Sequence, residues 1–347
     1  MKHRLLGLII IAVALLQTLS IKAQRPFATL EHEGTMTAYY GYGAFKQAYN
    51  AAADGDIITL SPGTFDGEVT ISKPVVIRGA GMYNDTLAGT SATVLDIDYY
   101  KPVNITNNRD SILKLSFEGI YFSSGNFTIQ SANAPIFSKC YIETLSAEKL
   151  EYGLFINCII ARANYQSECT ACSFVNSVIL TDHGSSPAKL PLGSTLTNCF
   201  AFMWNYASSA GETDVTNYTI TNSVLYCNQS YNFTINNTLG SSYSIGINAA
   251  SGRNYFNQAY APFHHLHNYS SLLAVFKNFD GTITANSTLE LQDSIANTIL
   301  GSDGTQVGIF GGSYPFNPRV QNYKITVPAQ SNESGQLPIT IQAITED

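Results

Sequence analysis

Charged residues are scarce in this 347-residue chain. They make up 12% of the sequence, against about 25% in an average domain. The formal net charge is -7, and no cluster of Lys and Arg follows residue 4. The chain therefore lacks the basic patch with which proteins bind nucleic acids or anionic membranes, and both classes of partner are excluded.

Long apolar runs are also missing, with one exception at the N-terminus. Basic residues 2–4 precede the apolar run 5–16, and the small residue Ala23 follows. This order is typical of a secretory signal peptide, and the run is shorter than the roughly 20 residues of a membrane span. We predict a signal peptide at 1–23 and an exported protein (extracellular, cell-surface or periplasmic) with no transmembrane span after cleavage. An uncleaved N-terminal anchor is the alternative.

Helical periodicity is almost absent from residue 57 to about residue 300. Short runs of Ile, Val, Phe and Tyr, broken by Asn, Gly, Ser and Asp, predict β-strands instead. Similar tripeptides recur with middle residues 18, 19, 22 and 24 positions apart: Lys139-Cys140-Tyr141, Asn157-Cys158-Ile159, Asn176-Ser177-Val178, Asn198-Cys199-Phe200 and Asn222-Ser223-Val224. Glu118-Gly119-Ile120 fits one step of 21 earlier.

Such a period is typical of a parallel β-solenoid, in which successive coils stack about 4.8 Å apart and equivalent positions form ladders. We expect the small middle residues to face inward where the cross-section is tight. We expect the Asn side chains to form an amide ladder from coil to coil. A β-sandwich with irregular turns is the alternative fold.

The N-terminal region predicts one helix and then a strand. Phe45, Ala48, Tyr49 and Ala52 share one helical stripe, and the helix should end at Asp54-Gly55. An amphipathic helix at this position would cap the open end of the solenoid.

The run from Ala44 to Gly81 carries a resemblance to a known superfamily. Its Ala-rich helix is followed by an Asp-Gly-Asp turn, a Pro-Gly-Thr turn at Pro62 and a Pro-Val-x-Ile-x-Gly strand at Pro74. The run resembles the opening of the right-handed parallel β-helix superfamily that includes pectate lyases and pectin methylesterases. The resemblance implies an all-β, right-handed parallel β-helix with an N-terminal capping α-helix.

The C-terminal region is similar to the ends of exported β-helix proteins of Bacteroidota. Alternating residues in 323–327 and 339–344 predict two strands that form a closing β-hairpin. The expected divisions are therefore an N-terminal segment with the capping helix (24–56), the parallel β-helix (57–312) and the C-terminal strands or cap (313–347).

The catalytic motifs of the superfamily's pectin-degrading enzymes are missing from this sequence. Asp182-His183 is similar to the Asp-His step of pectate lyases, but its Trp and Cys neighbours are absent. Asp182 could contribute to a calcium site, although neighbouring coils supply no matching carboxylates. A solvated turn after 178–180 is the preferred interpretation, so no catalytic residue or cofactor is predicted.

Three histidines crowd together as His264, His265 and His267. On a strand, His265 and His267 would share a face, as ligands of a metal ion do, but a further ligand is not evident. A polar loop or a histidine–tyrosine surface is the preferred interpretation, and no metal site is predicted.

The cysteines raise two further possibilities, a redox motif and a disulfide bond. Cys169 and Cys172 have the spacing of a redox motif, but no helix follows to lower a thiol pKa. One coil separates Cys140 from Cys158, which is close enough for a disulfide bond. Free cysteines that pack as small buried apolar side chains are the preferred interpretation, and the disulfide bond is the alternative.

The sequence favours a non-catalytic surface module that binds glycans, since aromatic residues such as Tyr39, Tyr40, Tyr42 and Trp204 fall at strand ends and in loops. A polysaccharide lyase or glycoside hydrolase acting on an acidic polysaccharide is the second hypothesis. A purely structural surface rod is the third.

Overall fold

The computed structural model describes residues 25–84, 90–97, 102–107, 112–123, 125, 127–180, 190–202, 213–214, 219–227, 233–234, 244–248, 267–269, 271–279, 284, 287–317, 323–326 and 340–343. In these ranges the chain is a right-handed parallel β-helix, as the sequence predicted.

Three sheets enclose one core. Sheet 1 contains the parallel strands Ile57–Leu60, Val76–Arg78, Ser116–Glu118, Ile136–Ser138, Leu154–Ile156, Ser173–Val175, Thr195–Thr197 and Thr219–Thr221. Sheet 2 contains Gly63–Asp66, Thr93–Asp96, Tyr121–Phe122, Tyr141–Ile142, Ile159–Ile160, Val178–Leu180, Phe200–Phe202, Val224–Cys227, Ile245–Asn248 and His267–Tyr269. Sheet 3 contains Val69–Ile71, Val103–Ile105, Phe127–Ile129, Leu145–Ala147 and Ala163–Tyr165.

Two short parallel strand pairs of the described chain lie outside these sheets. They are Ala132–Asn133 with Leu150–Glu151, and Thr213–Asp214 with Phe233–Thr234. Because sheet 2 has ten parallel strands, the stack is about 43 Å long at about 4.8 Å per step.

The core is built from ladders of identical or similar side chains. Phe117, Phe137, Phe155 and Phe174 are paired in register on sheet 1 and are fully buried. Their rings stack at centroid distances of 5.2, 5.0 and 4.9 Å. Offset stacking of this kind adds to the burial of apolar area, so this ladder stabilises the middle of the solenoid.

The turn between sheets 1 and 2 explains the recurring Asn. Asn157, Asn176, Asn198 and Asn222 all have positive φ, between 45 and 53°. Among residues with a side chain, Asn adopts this left-handed conformation most readily. The sequence analysis assigned Asn to a coil-to-coil amide ladder, whereas its first role is to close a tight turn.

At the same turn, the observed strand pairing differs from the predicted register of one coil. Tyr121 pairs with Tyr141, so Ile120 occupies the position of Cys140. Gly119, with φ of 64°, takes the position of Lys139. The expected alignment of Gly119 with Cys140 is therefore wrong by one residue.

An antiparallel hairpin and a helix lie at the N-terminal end. Strand β1 (Phe27–His32) pairs with β2 (Thr35–Tyr40) on one side and with Ile57–Leu60 on the other, so it extends sheet 1. Helix α1 spans Ala44–Ala51 and buries the predicted stripe. Sequence analysis did not predict the hairpin.

The described residues between 271 and 317 do not continue the coil stack. They include one helical turn, α2 (Asp293–Ala296), and place apolar side chains against the outer face of sheet 2. The rings of Phe276 and Phe200 lie 5.7 Å apart in this second core. His267–Tyr269 is the last described strand of sheet 2, and the expected β-helix boundary at residue 312 stays a prediction.

The last part of this segment, 301–317, forms a strap along the Asn turns. Asn176 Nδ2 donates to the carbonyl oxygens of Ile309 and Gly311 at 2.8 and 2.7 Å. Asn157 Oδ1 accepts from Asn317 N at 3.0 Å, and Asn222 Oδ1 accepts from Ser302 N at 2.9 Å. The strap thus runs antiparallel to the order of the coils and crosses four of them.

Beyond the strap, Tyr323–Thr326 pairs antiparallel with Thr340–Ala343. This pairing agrees with the predicted hairpin, whose role as a cap stays a prediction. No helix within the described ranges is long and apolar enough to span a bilayer.

Candidate binding surface

The outer face of sheet 2 is covered along only part of its length. Ile159, Val178, Phe200 and Val224 lie beneath residues 271–317 and are at most 3% exposed. On the preceding coils, Thr64 is exposed, and Val94, Tyr121 and Tyr141 are half-buried. This part of the face lies outside the cover of the later segment and is partly accessible, although Tyr83 packs beside Tyr141 with ring centroids 6.1 Å apart.

Carboxylates form a second column on this uncovered part. Asp66 pairs directly with Asp96 on the next coil, and the register continues through Ser123 to Glu143. The Ser123 hydroxyl oxygen accepts from Ile97 N at 2.9 Å. Neighbouring members of the column are about 4.8 Å apart because they belong to successive coils.

Tyrosines lie beside the carboxylates. The rings of Tyr121 and Tyr141 stack at 4.7 Å with an interplanar angle of 11°. The Tyr121 hydroxyl donates to Glu143 Oε2 at 2.6 Å. Burial, followed by this hydrogen bond, raises the pKa of Tyr121, so its hydroxyl remains a donor at neutral pH.

A third tyrosine joins the surface from the N-terminal region. The Tyr42 hydroxyl donates to Asp96 Oδ2 at 2.8 Å, and Tyr42 O accepts from Asp66 N at 2.8 Å. We call the set Tyr42, Asp66, Asp96, Tyr121, Tyr141 and Glu143 the tyrosine–carboxylate surface.

Among the described residues, acidic groups exceed basic groups around this surface. Lys46 Nζ is 3.1 Å from Glu68 Oε2, close to Asp66. Burial, followed by the charge of Glu143, raises the pKa of Tyr141, and the opposing effect of the Arg162 charge is smaller. Hydroxyl groups of a ligand can donate to the carboxylates, whereas an anionic ligand would be repelled.

The predicted catalytic and metal candidates lie mostly outside the described residues. Asp182, His183, His264 and His265 belong to this group. His267 is described, is exposed, and pairs with Ile245 at the end of sheet 2. Across the described part of the chain, no three His, Cys, Asp or Glu residues are arranged to hold a metal ion.

Cys140 and Cys158 occupy equivalent positions on neighbouring coils, and both are buried free thiols in the structure. Cys158 Sγ donates to Phe137 O at 3.3 Å, and Cys140 Sγ to Ser138 O at 3.3 Å. Burial raises the pKa of the Cys140 thiol well above its ordinary value and that of Cys172 to about 12. Buried thiols of high pKa are poor nucleophiles, and this argues against redox catalysis at Cys172.

Sequence reasoning found Tyr42 but missed Tyr121, Tyr141 and the carboxylate column. These residues lie at outward positions of short strands, where the alternation with Phe122 and Ile142 is only two residues long. The sequence does carry a signal for the column, because Asp96, Ser123 and Glu143 each directly follow an inward residue of sheet 2.

Comparison of the chain with protein-family models, with curated proteins and with solved structures finds no match. The function must therefore be argued from the geometry of the tyrosine–carboxylate surface.

Proposed function

We propose that this chain is an exported, non-catalytic β-helix module that binds glycans at a cell surface through the tyrosine–carboxylate surface. The observation that carries the proposal is the column Asp66, Asp96 and Glu143, with tyrosine hydroxyls hydrogen-bonded to two of its carboxylates. Carboxylates positioned in this way accept hydrogen bonds from sugar hydroxyls.

The spacing favours a glycan chain lying along the solenoid axis. Hydroxyl groups repeated along an extended glycan can meet acceptors repeated at the coil spacing of about 4.8 Å. Because Tyr121 and Tyr141 stack on each other, they offer ring edges and hydroxyl groups rather than free faces. Hydrogen bonds would therefore contribute more to glycan binding than the stacking of tyrosine rings on sugar faces.

The surplus of carboxylates favours an uncharged glycan. A uronate-containing chain would bring its own carboxylates against Asp66, Asp96 and Glu143, and like charges placed together disfavour binding.

The test is binding of the purified protein to immobilised neutral polysaccharides and to pectin. The proposal expects retention on at least one neutral glycan, weakened about tenfold or more by Asp96→Asn or Glu143→Gln. Glu118→Gln is the matched control, because Glu118 is a half-exposed carboxylate on the outer face of sheet 1. Equal binding by all three variants, or retention on pectin alone, would contradict the proposal.

A glycoside hydrolase is the second candidate, and the direct pairing of Asp66 with Asp96 favours it. Such enzymes use two carboxylates, one as acid and one as base or nucleophile. New reducing ends would establish hydrolysis, and new unsaturated ends would establish a lyase. Either product would overturn the non-catalytic proposal, and the absence of any glycan retention would favour a structural rod.

A further inference from the structure

The edge of sheet 1 at the N-terminal end is a strand with one side unpaired. Strand β2 lies first in the strand order and, among the described residues, pairs with β1 alone through six residue pairs. Its opposite side therefore presents backbone N–H and C=O groups that no neighbouring strand of the sheet uses. Such an edge is a template for adding another strand.

The sequence of β2, Thr-Met-Thr-Ala-Tyr-Tyr, carries none of the features that protect an edge. It has no charge, no proline and no glycine, and Thr and Tyr favour strands. Five of its six side chains are exposed, with Met36 at 65% and Tyr40 at 69%.

The edge is held in place by the rest of the fold. Strand β1 pairs with Ile57–Leu60 along its other side, and Phe27 N donates to Ser61 Oγ at 3.0 Å. The Phe27 and Tyr40 rings lie 6.3 Å apart. A preformed strand loses little conformational entropy when another strand adds to it.

The side chains of β2 are self-complementary. Opposite residues in an antiparallel pair point to the same face. A two-fold axis perpendicular to the sheet therefore passes midway between the two copies of one residue, which lie opposite each other. With Ala38 on the axis, Met36 of one copy lies opposite Tyr40 of the other, and Thr37 lies opposite Tyr39. The small Ala38 methyl groups meet at the centre, and each Met36 thioether can contact a tyrosine ring.

We propose that two copies of this chain associate through antiparallel pairing of their β2 strands, with Ala38 at the two-fold axis. The two solenoids then lie end to end, and their first sheets join into one continuous sheet. No charged residue of β2 opposes another across the axis. Pairing by a single strand buries less than about 1,200 Å², so the dimer depends on protein concentration.

Sedimentation velocity from dilute to several hundred micromolar protein tests the association. The expected result is a monomer that converts to a dimer as concentration rises. Ala38→Lys places two like charges across the axis and should raise the dissociation constant at least tenfold. Thr70→Lys is the matched control: it adds the same charge at an exposed strand position of sheet 3 and should leave the dimer unchanged.

A covalent test keeps the proposal falsifiable if the lysine variant folds poorly. In Ala38→Cys the two introduced thiols would face each other at the axis, and mild air oxidation should give a disulfide-linked dimer. Thr70→Cys should stay monomeric under the same oxidation. A monomer at every concentration, or a dimer that resists Ala38→Lys while Ala38→Cys does not cross-link, would overturn the proposal.

Discussion

The side-chain amide of Asn176 donates a 2.7 Å hydrogen bond to the carbonyl oxygen of Gly311, 135 residues later in the chain. A second bond from the same nitrogen reaches Ile309 O at 2.8 Å. Because Asn176 is only 1% exposed, both bonds are shielded from water. One turn residue of the solenoid thus anchors the C-terminal strap.

Replacing Asn176 by Gly should destabilise the strap without straining the turn. Gly tolerates the positive φ of this position, so the loss reflects the two missing hydrogen bonds, about 1–3 kcal/mol in total. Ala134→Gly is the control at another left-handed position and should not lower stability, because Gly relieves the left-handed strain of Ala134. Urea unfolding of both variants measures the difference, and equal losses would argue against the anchoring role.

Gly311→Ala should detach the strap by steric conflict. A Cβ atom at this position would lie 1.7 Å from Gln306 O and 2.7 Å from Asn198 Nδ2. At Gly304 no atom lies within 4 Å of such a Cβ, so Gly304→Ala costs only about 1–2 kcal/mol for its left-handed backbone. Hydrogen exchange of residues 301–317 should accelerate strongly in Gly311→Ala, and similar protection in both variants would contradict the packing.

Phe155→Ala should strongly destabilise the middle of the solenoid. Phe155 is fully buried between Phe137 and Phe174 in the phenylalanine ladder. Truncation of such a residue costs about 3–5 kcal/mol, through lost burial and the cavity left behind. Phe155→Leu keeps most of the volume and should cost clearly less. Chemical denaturation distinguishes the two, and a loss below about 1 kcal/mol for Phe155→Ala would show that the ladder collapses around the gap.

Stability should depend on pH through His32 and Asp56. His32 Nδ1 lies 2.8 Å from Asp56 Oδ1, and this hydrogen bond, followed by the charge of Asp56, raises the pKa of His32. The stabilisation is fully present below the unfolded pKa of about 6.5 and is lost as pH rises through the higher folded pKa. The thermal midpoint should therefore fall more steeply with rising pH in the wild type than in His32→Asn. If the thermal midpoint fell equally with pH in the wild type and in His32→Asn, the result would contradict the pairing of His32 with Asp56.

The cysteines should resist alkylation in the folded protein. Burial raises the pKa of the Cys199 thiol to about 12, and Cys140, Cys158, Cys169 and Cys172 are buried too. Mass spectrometry should find these five unlabelled at neutral pH and labelled after unfolding without reductant. If Cys140 and Cys158 reacted only after reduction, the alternative, a disulfide bond between them, would be present instead.

The period of the sequence was enough to predict a parallel β-solenoid, because each coil reuses the same positions, whereas its right-handedness was implied by the resemblance of residues 44–81. It was not enough to fix every register. Gly119 fits both the left-handed turn position and the small inward position, and only the pairing of Tyr121 with Tyr141 separates the two.

The covering segment escaped sequence analysis for a related reason. Ile295, Ile299, Val307 and Ile309 follow no regular two-residue alternation, and their burial comes from the outer face of sheet 2. Contacts made across more than a hundred residues leave no local periodicity. The tyrosine–carboxylate surface was missed likewise, since it exists only when strands far apart in sequence are placed in register.

The strap also constrains the number of coils in the part of the solenoid that it crosses. Its contacts require one left-handed turn on each coil between Asn157 and Asn222, at the spacing that residues 301–317 can reach. Duplicating or deleting a coil within this interval would preserve the solenoid but misalign the strap by about 4.8 Å. Among the described residues, the side-chain hydrogen bonds to the strap begin at Asn157, so adding or removing a whole coil before Asn157 should leave these strap contacts in register.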